Sequence, residues 1–147
     1  IFTNRSYERI CLYKGAPALV VKVQNRPAPD VQSVALKAFS RIAEAWSLTA
    51  AESAGLADMS ESTWKRAKKA GFAGELTHDQ MLRLSALIGL YKSLELYFNP
   101  PMAGRWIKLA NQGPEFEGQR PIDAMIRGGL PKIIRVRTYV DALRGGV

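Results

Sequence analysis

The sequence predicts an all-α protein built around a helix-turn-helix core. Three observations carry that prediction. Apolar residues recur at three- and four-residue steps from Val31 onward, the spacing of one helix face. Thr49–Glu52 and Thr77–Gln80 have the pattern of reciprocal N-terminal capping boxes. Glycine and proline pairs, Gly113-Pro114, Gly128-Gly129 and Gly145-Gly146 among them, punctuate the remainder.

Residues 1–30 read as an irregular arm with at most one short hairpin. Leu19-Val20-Val21-Lys22-Val23 has the β-branched content of a strand, and Pro27 and Pro29 stop any regular element. Asp30 then caps a helix whose apolar face is Val31, Val34, Ala35, Ala38, Phe39, Ile42 and Trp46. A short helix follows Thr49 to about Ala57, and Ser60 caps another that runs to about Ala70. The longest helix spans Asp79 to Phe98, with Met81, Leu84, Leu87, Ile88, Tyr91, Leu94 and Phe98 apolar; Asn99-Pro100-Pro101 ends it. One helix holds Trp106, Ile107 and Ala110. Another opens at Pro121, a residue suited to a first turn, and stops at Gly128-Gly129. The last starts at Pro131, lines one face with Ile133, Val136, Val140 and Leu143, and ends at Gly145-Gly146. The expected division is an arm at 1–30, a helix-turn-helix domain with its long helix at 31–99, and a small helical domain at 100–147.

The 147 residues are 47% hydrophobic and 23% charged, with a net charge of +8, the composition of a globular protein. No apolar run approaches the roughly 18 residues needed to span a bilayer, and one cysteine, Cys11, forms no internal disulfide. A reducing, cytoplasmic setting with no membrane is expected. The chain opens on Ile1, which predicts that its start is missing. Catalysis is not expected. The one histidine, His78, sits within a capping box, Cys11 has no nearby Cys or His partner, and no phosphate loop or dinucleotide glycine motif is present. No metal and no cofactor are expected. Trp46, Trp64 and Trp106 fall on apolar faces and read as core.

Charge gathers in two places. Lys65, Arg66, Lys68 and Lys69 stand against Glu61, and Arg120, Arg127, Lys132, Arg135, Arg137 and Arg144 against Asp123 and Asp141. Each suits an acidic partner, nucleic acid or protein, although a generally solvated basic surface is the plainer reading. The first group belongs to the helix-turn-helix. That motif needs a small residue where its helices cross, a left-handed turn and apolar anchors beneath the second helix. Ala54, Asp58, and Trp64 with Ala67 supply these. Ser62, Lys65, Arg66 and Lys69 would then face promoter DNA, Lys65 or Arg66 meeting phosphate or guanine edges. Glu61, at the front of the helix, opposes phosphate.

The C-terminal part resembles a known family. Phe116-Glu117-Gly118-Gln119-Arg120-Pro121-Ile122-Asp123-Ala124-Met125-Ile126, followed by Gly129, Ile133, Val136, Tyr139, Val140 and Leu143-Arg144-Gly145-Gly146, is similar to the toxin-binding signature of the antitoxin Xre/MbcA/ParS family. Ser60-Glu61-Ser62-Thr63-Trp64 resembles the Xre-like helix-turn-helix that precedes it there. The resemblance covers about residues 31–147. It implies a cognate RES-domain toxin that consumes NAD or transfers ADP-ribose, occlusion of the toxin's active site by the antitoxin's C-terminal region, self-association, and in some members repression of their own operon. On that basis Arg137, Asp141, Arg144, Gly145, Gly146 and Val147 are the expected toxin-binding residues. Read alone, Arg144-Gly145-Gly146 is a helix stop; the resemblance assigns it to the toxin cleft. The chain ends soon after, at Val147, a departure from the common pattern. The apolar content of the 79–98 helix predicts a homodimer. The alternative function is a stand-alone helix-turn-helix transcriptional regulator.

Overall fold

A computed structural model describes residues 30–146. The arm expected at 1–30, apart from Asp30, lies outside the described residues, as do Cys11 and Val147. Among the described residues there are six α-helices: α1 Val31–Ala45, α2 Ala50–Ala57, α3 Glu61–Ala67, α4 His78–Tyr97, α5 Met102–Arg105 and α6 Pro121–Gly145. A single 3₁₀ turn, Trp106–Lys108, follows α5. There is no strand among the described residues.

The helix starts form where the sequence places them, because each cap is a local hydrogen-bond arrangement. Asp30 accepts from the Gln32 amide, Ser60 from the Thr63 amide, and both capping boxes are complete. Thr49 and Glu52 exchange bonds of 3.1 and 2.9 Å, as do Thr77 and Gln80. Asp58 ends α2 in the left-handed region, at φ 56° and ψ 54°.

Helix α4 is central. Leu84, Leu87, Leu90 and Leu94 are fully buried, and α4 packs against α1 and α6 of the same chain. Most of the apolar content expected to seek a second copy is therefore used inside the monomer. The core joins Phe39, Trp46, Leu56, Trp64, Ile107, Phe116, Ile122, Met125, Ile133, Val136 and Val140 to these leucines. All three tryptophans are buried in it. An aromatic row, Phe98–Trp106–Phe116–Tyr139, runs through the C-terminal part with centroids 5.5 to 6.3 Å apart.

Four expectations are corrected. Val31 and Val34 are 71% and 50% exposed, while Leu36 and Ala43 are buried. Val34 lies five residues before Phe39, about 140° round the helix from it, and Val31 sits on the first turn. Helix α3 stops at Ala67, because the Lys69 amide bonds to the Arg66 carbonyl and Gly71 takes a φ of 79°. Ala110 is outside any helix, since the Asn111 backbone donates to Gln119 and accepts from Gly118, closing a loop that leaves no partner for a helical continuation. Leu143 is only partly buried at the end of α6.

The two helices expected at 121–145 are the legs of α6. Gly129 breaks that helix at φ 63° and ψ −156°, a conformation essentially restricted to glycine. The second leg closes with Gly146 as a left-handed cap at φ 74°.

Candidate functional site

Two surfaces carry the residues that the sequence singles out. The first is the outward face of α3. Trp64 and Ala67 are buried beneath it, and Trp64 meets Phe39 edge-on at 5.2 Å. Ala54 is buried at the crossing with α2. Ser62, Lys65 and Arg66 are exposed on α3, and Lys69 is exposed in the turn beyond its end, so the four follow a helical spacing that outruns the helix. Lys65 lies 3.9 Å from Glu61, and Arg66 donates to the Thr63 hydroxyl at 3.4 Å. Both contacts are solvent-exposed and weak, so the cations are available to a polyanion.

The second surface is the C-terminal leg of α6. Ile133, Val136 and Val140 face the core, and the opposite side presents Ile134, Arg135, Thr138 and Arg144 to solvent. Of the expected residues, Arg144 is exposed, Gly145 is the last helical residue, and Gly146 caps the helix. Arg137 and Asp141 have internal partners. The Ser93 hydroxyl donates to Asp141, Arg137 lies 3.8 Å from Asp141, and the Arg137 guanidinium covers Gly89 so closely that a Cβ there would clash. These two side chains seal the α4–α6 seam while Arg137 keeps part of its guanidinium in solvent. Sequence reasoning missed Ile134, which is 48% exposed. The signal was the pair Ile133-Ile134, since a helix packed on one side buries one of two consecutive residues well.

Ion pairs fix the approach to this leg. Lys132 Nζ lies 3.0 Å from Glu115 Oε2, with Arg135 Nε at 3.3 Å from the same oxygen. Hydrogen bonding from Lys132 holds the Glu115 carboxyl below its ordinary range, with Arg135 adding to the effect. At the other leg Arg120 makes two bonds to Asp123, at 2.7 and 2.8 Å, which lower the Asp123 pKa and raise that of Arg120. Glu52 of the first capping box also lies 3.5 Å from Lys108 and 3.7 Å from Arg120. A Cβ on Gly55 would meet Ile126 at 3.1 Å. The helix-turn-helix and the C-terminal helices thus share one packed body. No group of three or more His, Cys, Asp or Glu residues is gathered for a metal among the described residues. No helix among them is long and apolar enough to cross a membrane.

Comparison with known proteins matches both halves of the described chain. Residues 26–89 match the antitoxin Xre-like helix-turn-helix domain, and residues 93–146 match the antitoxin Xre/MbcA/ParS C-terminal toxin-binding domain. The two matches meet inside α4. The chain is also similar to the uncharacterized protein y4oB of Sinorhizobium fredii (strain NBRC 101917 / NGR234). They are 39% identical over 113 residues, which cover 76% of this chain and 84% of the relative. With the capped, left-handed turn of a helix-turn-helix in front and the broken α6 behind, the chain belongs to the Xre/MbcA/ParS family of antitoxins.

Proposed function

We propose that this antitoxin neutralises a RES-domain toxin that consumes NAD or transfers ADP-ribose, by laying its C-terminal region over the toxin's active site. The observation that carries the reading is the toxin-binding match over 93–146, which ends on the exposed terminus of α6. The inhibitor acts without chemistry of its own: Arg144 offers planar multi-donor contacts to carboxylates, and Gly145 and Gly146 permit close backbone approach. Ile134 supplies an exposed apolar anchor beside Arg135 and Thr138, in the manner of a buried interface centre with a polar rim. The protein works in the cytoplasm. The basic face of α3 supports a second role, repression of its own promoter.

Self-association as a homodimer fits the groove between α1 and α4. This groove of about 360 Å³ is lined by Ala38, Arg41, Ile42, Ile88, Tyr91 and Lys92. Its mixed apolar and cationic lining, with Glu44 and Glu95 exposed nearby on the same helices, suits a self-complementary contact. Light scattering at micromolar concentration is expected to give a dimer mass, and a monomer mass rules the dimer out.

Co-expression with the product of the adjacent gene tests the main reading. Growth rescue and a co-purifying complex with a RES-type protein are expected. Promoter binding with neither rescue nor complex would favour the stand-alone regulator.

A further inference from the structure

Arg83 of α4 stands between the two surfaces. Its side chain is 12% exposed, its Nε donates to Asp79 at 2.6 Å, and its Nη2 lies 3.8 Å from Asp58. Asp58 is the left-handed residue of the α2–α3 turn. The same guanidinium reaches the break in α6, where a Cβ on Gly129 would stand 3.2 Å from Nη2. The first leg of α6 ends there, and a helix C-terminus favours a nearby cation. Gln80 adds a second tie, donating to the Asp58 carbonyl at 2.8 Å.

A simple i,i+4 pair on a helix surface is worth little. Arg83 differs because one nearly buried cation touches three separate parts of the chain. Neither the turn nor the break can shift without changing its surroundings. We propose that Arg83 is a positioning residue that links the α2–α3 turn to the α6 break, so that displacement of the second leg of α6 resets α3. This rests on the reading that α3 faces DNA and α6 faces the toxin. A partner on either surface then alters affinity at the other, and the effect is reciprocal.

Amide hydrogen exchange on the full chain tests the link without DNA or toxin, so its outcome is separate from that of the antitoxin reading. Wild type is compared with Arg83→Gln, Gly129→Ala and the double variant, and the amides of Phe39 and Ile42 in α1 gauge global opening. The reporter is Met59, whose amide bonds to the Ala54 carbonyl at 3.0 Å. Each single change is expected to raise exchange at Met59 about tenfold more than at Phe39 and Ile42, and the double variant to exceed Arg83→Gln by less than about twofold. Met59 unmoved by Gly129→Ala, or effects that multiply in the double variant, would overturn the link. Where Gly129→Ala does not fold, Arg83→Gln decides alone. It must loosen Met59 and residues 130–133 together, and loosening at one end only overturns the proposal.

Discussion

Lys132 bonds to Glu115 twice, from Nζ to the carboxylate at 3.0 Å and to the backbone carbonyl at 2.9 Å, and so ties the loop before α6 to the leg after its break. The carboxyl is held below its ordinary value of 4.5, chiefly by this hydrogen bond. A carboxylate with a depressed folded pKa contributes stability that is present above the unfolded pKa and is lost as pH falls through the folded one. Acidification from about pH 5 to about pH 3 is therefore expected to loosen the loop. Trp106 fluorescence monitors it, because Trp106 packs on Phe116 of that loop at 5.6 Å. Glu115→Gln is expected to flatten the acid response in part. Asp123, lowered by Arg120, retains the rest. An unchanged acid profile in Glu115→Gln would show that the Lys132 contact does not hold the loop.

Trp64→Ala is expected to destabilise the fold by about 3–5 kcal/mol, since a large buried ring is removed from beneath α3. Val34→Ala, at an exposed position, is expected to stay within about 0.5 kcal/mol. Chemical denaturation followed by circular dichroism measures both. Equal effects would mean that α1 and α3 are packed in a different register.

Lys65→Ala and Arg66→Ala are each expected to weaken promoter binding and to lower the salt slope by about one for each phosphate left without its cation. Neutralisation should be unaffected, because α3 and the end of α6 are different surfaces. Mobility shifts over a salt series supply the measurement. Wild-type protein that binds random DNA as well as its own promoter, with and without toxin, would remove the repressor role.

What the sequence made legible is what local chemistry decides. Both capping boxes, the left-handed Asp58, the stop at Gly145-Gly146 and the break at Gly128-Gly129 each depend on a few neighbouring residues. The misplaced face at Val31 and Val34 has another cause: which side of α1 is covered depends on where α4 lies. The loop closed by Asn111 and Gln119 likewise depends on a pairing eight residues apart. Of the two surfaces, the α3 face followed from helical spacing. On α6 the i,i+4 pair of Arg137 and Asp141 also follows from spacing, whereas the exposed Ile134, the Ser93 bond to Asp141 and the cover of Gly89 by Arg137 became visible only once α4 was packed beside it. The contacts of Arg83 with Asp58 and Gly129 join positions far apart in the chain, and no spacing rule announces them.

The proposed neutralisation depends on the C-terminal end of α6 occluding the toxin's substrate cleft. NAD consumption by the purified toxin, titrated with the full chain and with a variant lacking residues 144–147, tests it most directly. The truncated protein loses Arg144, Gly145 and Gly146, all exposed, together with Val147, so it should fold and still bind toxin through the helices, over about 800 Å² per partner for an interface of standard size. It should bind more weakly and fail to suppress NAD loss, whereas the full chain is expected to suppress it. Equal inhibition by the two proteins would contradict occlusion by the tail and transfer the inhibition to the helices or to assembly of the complex.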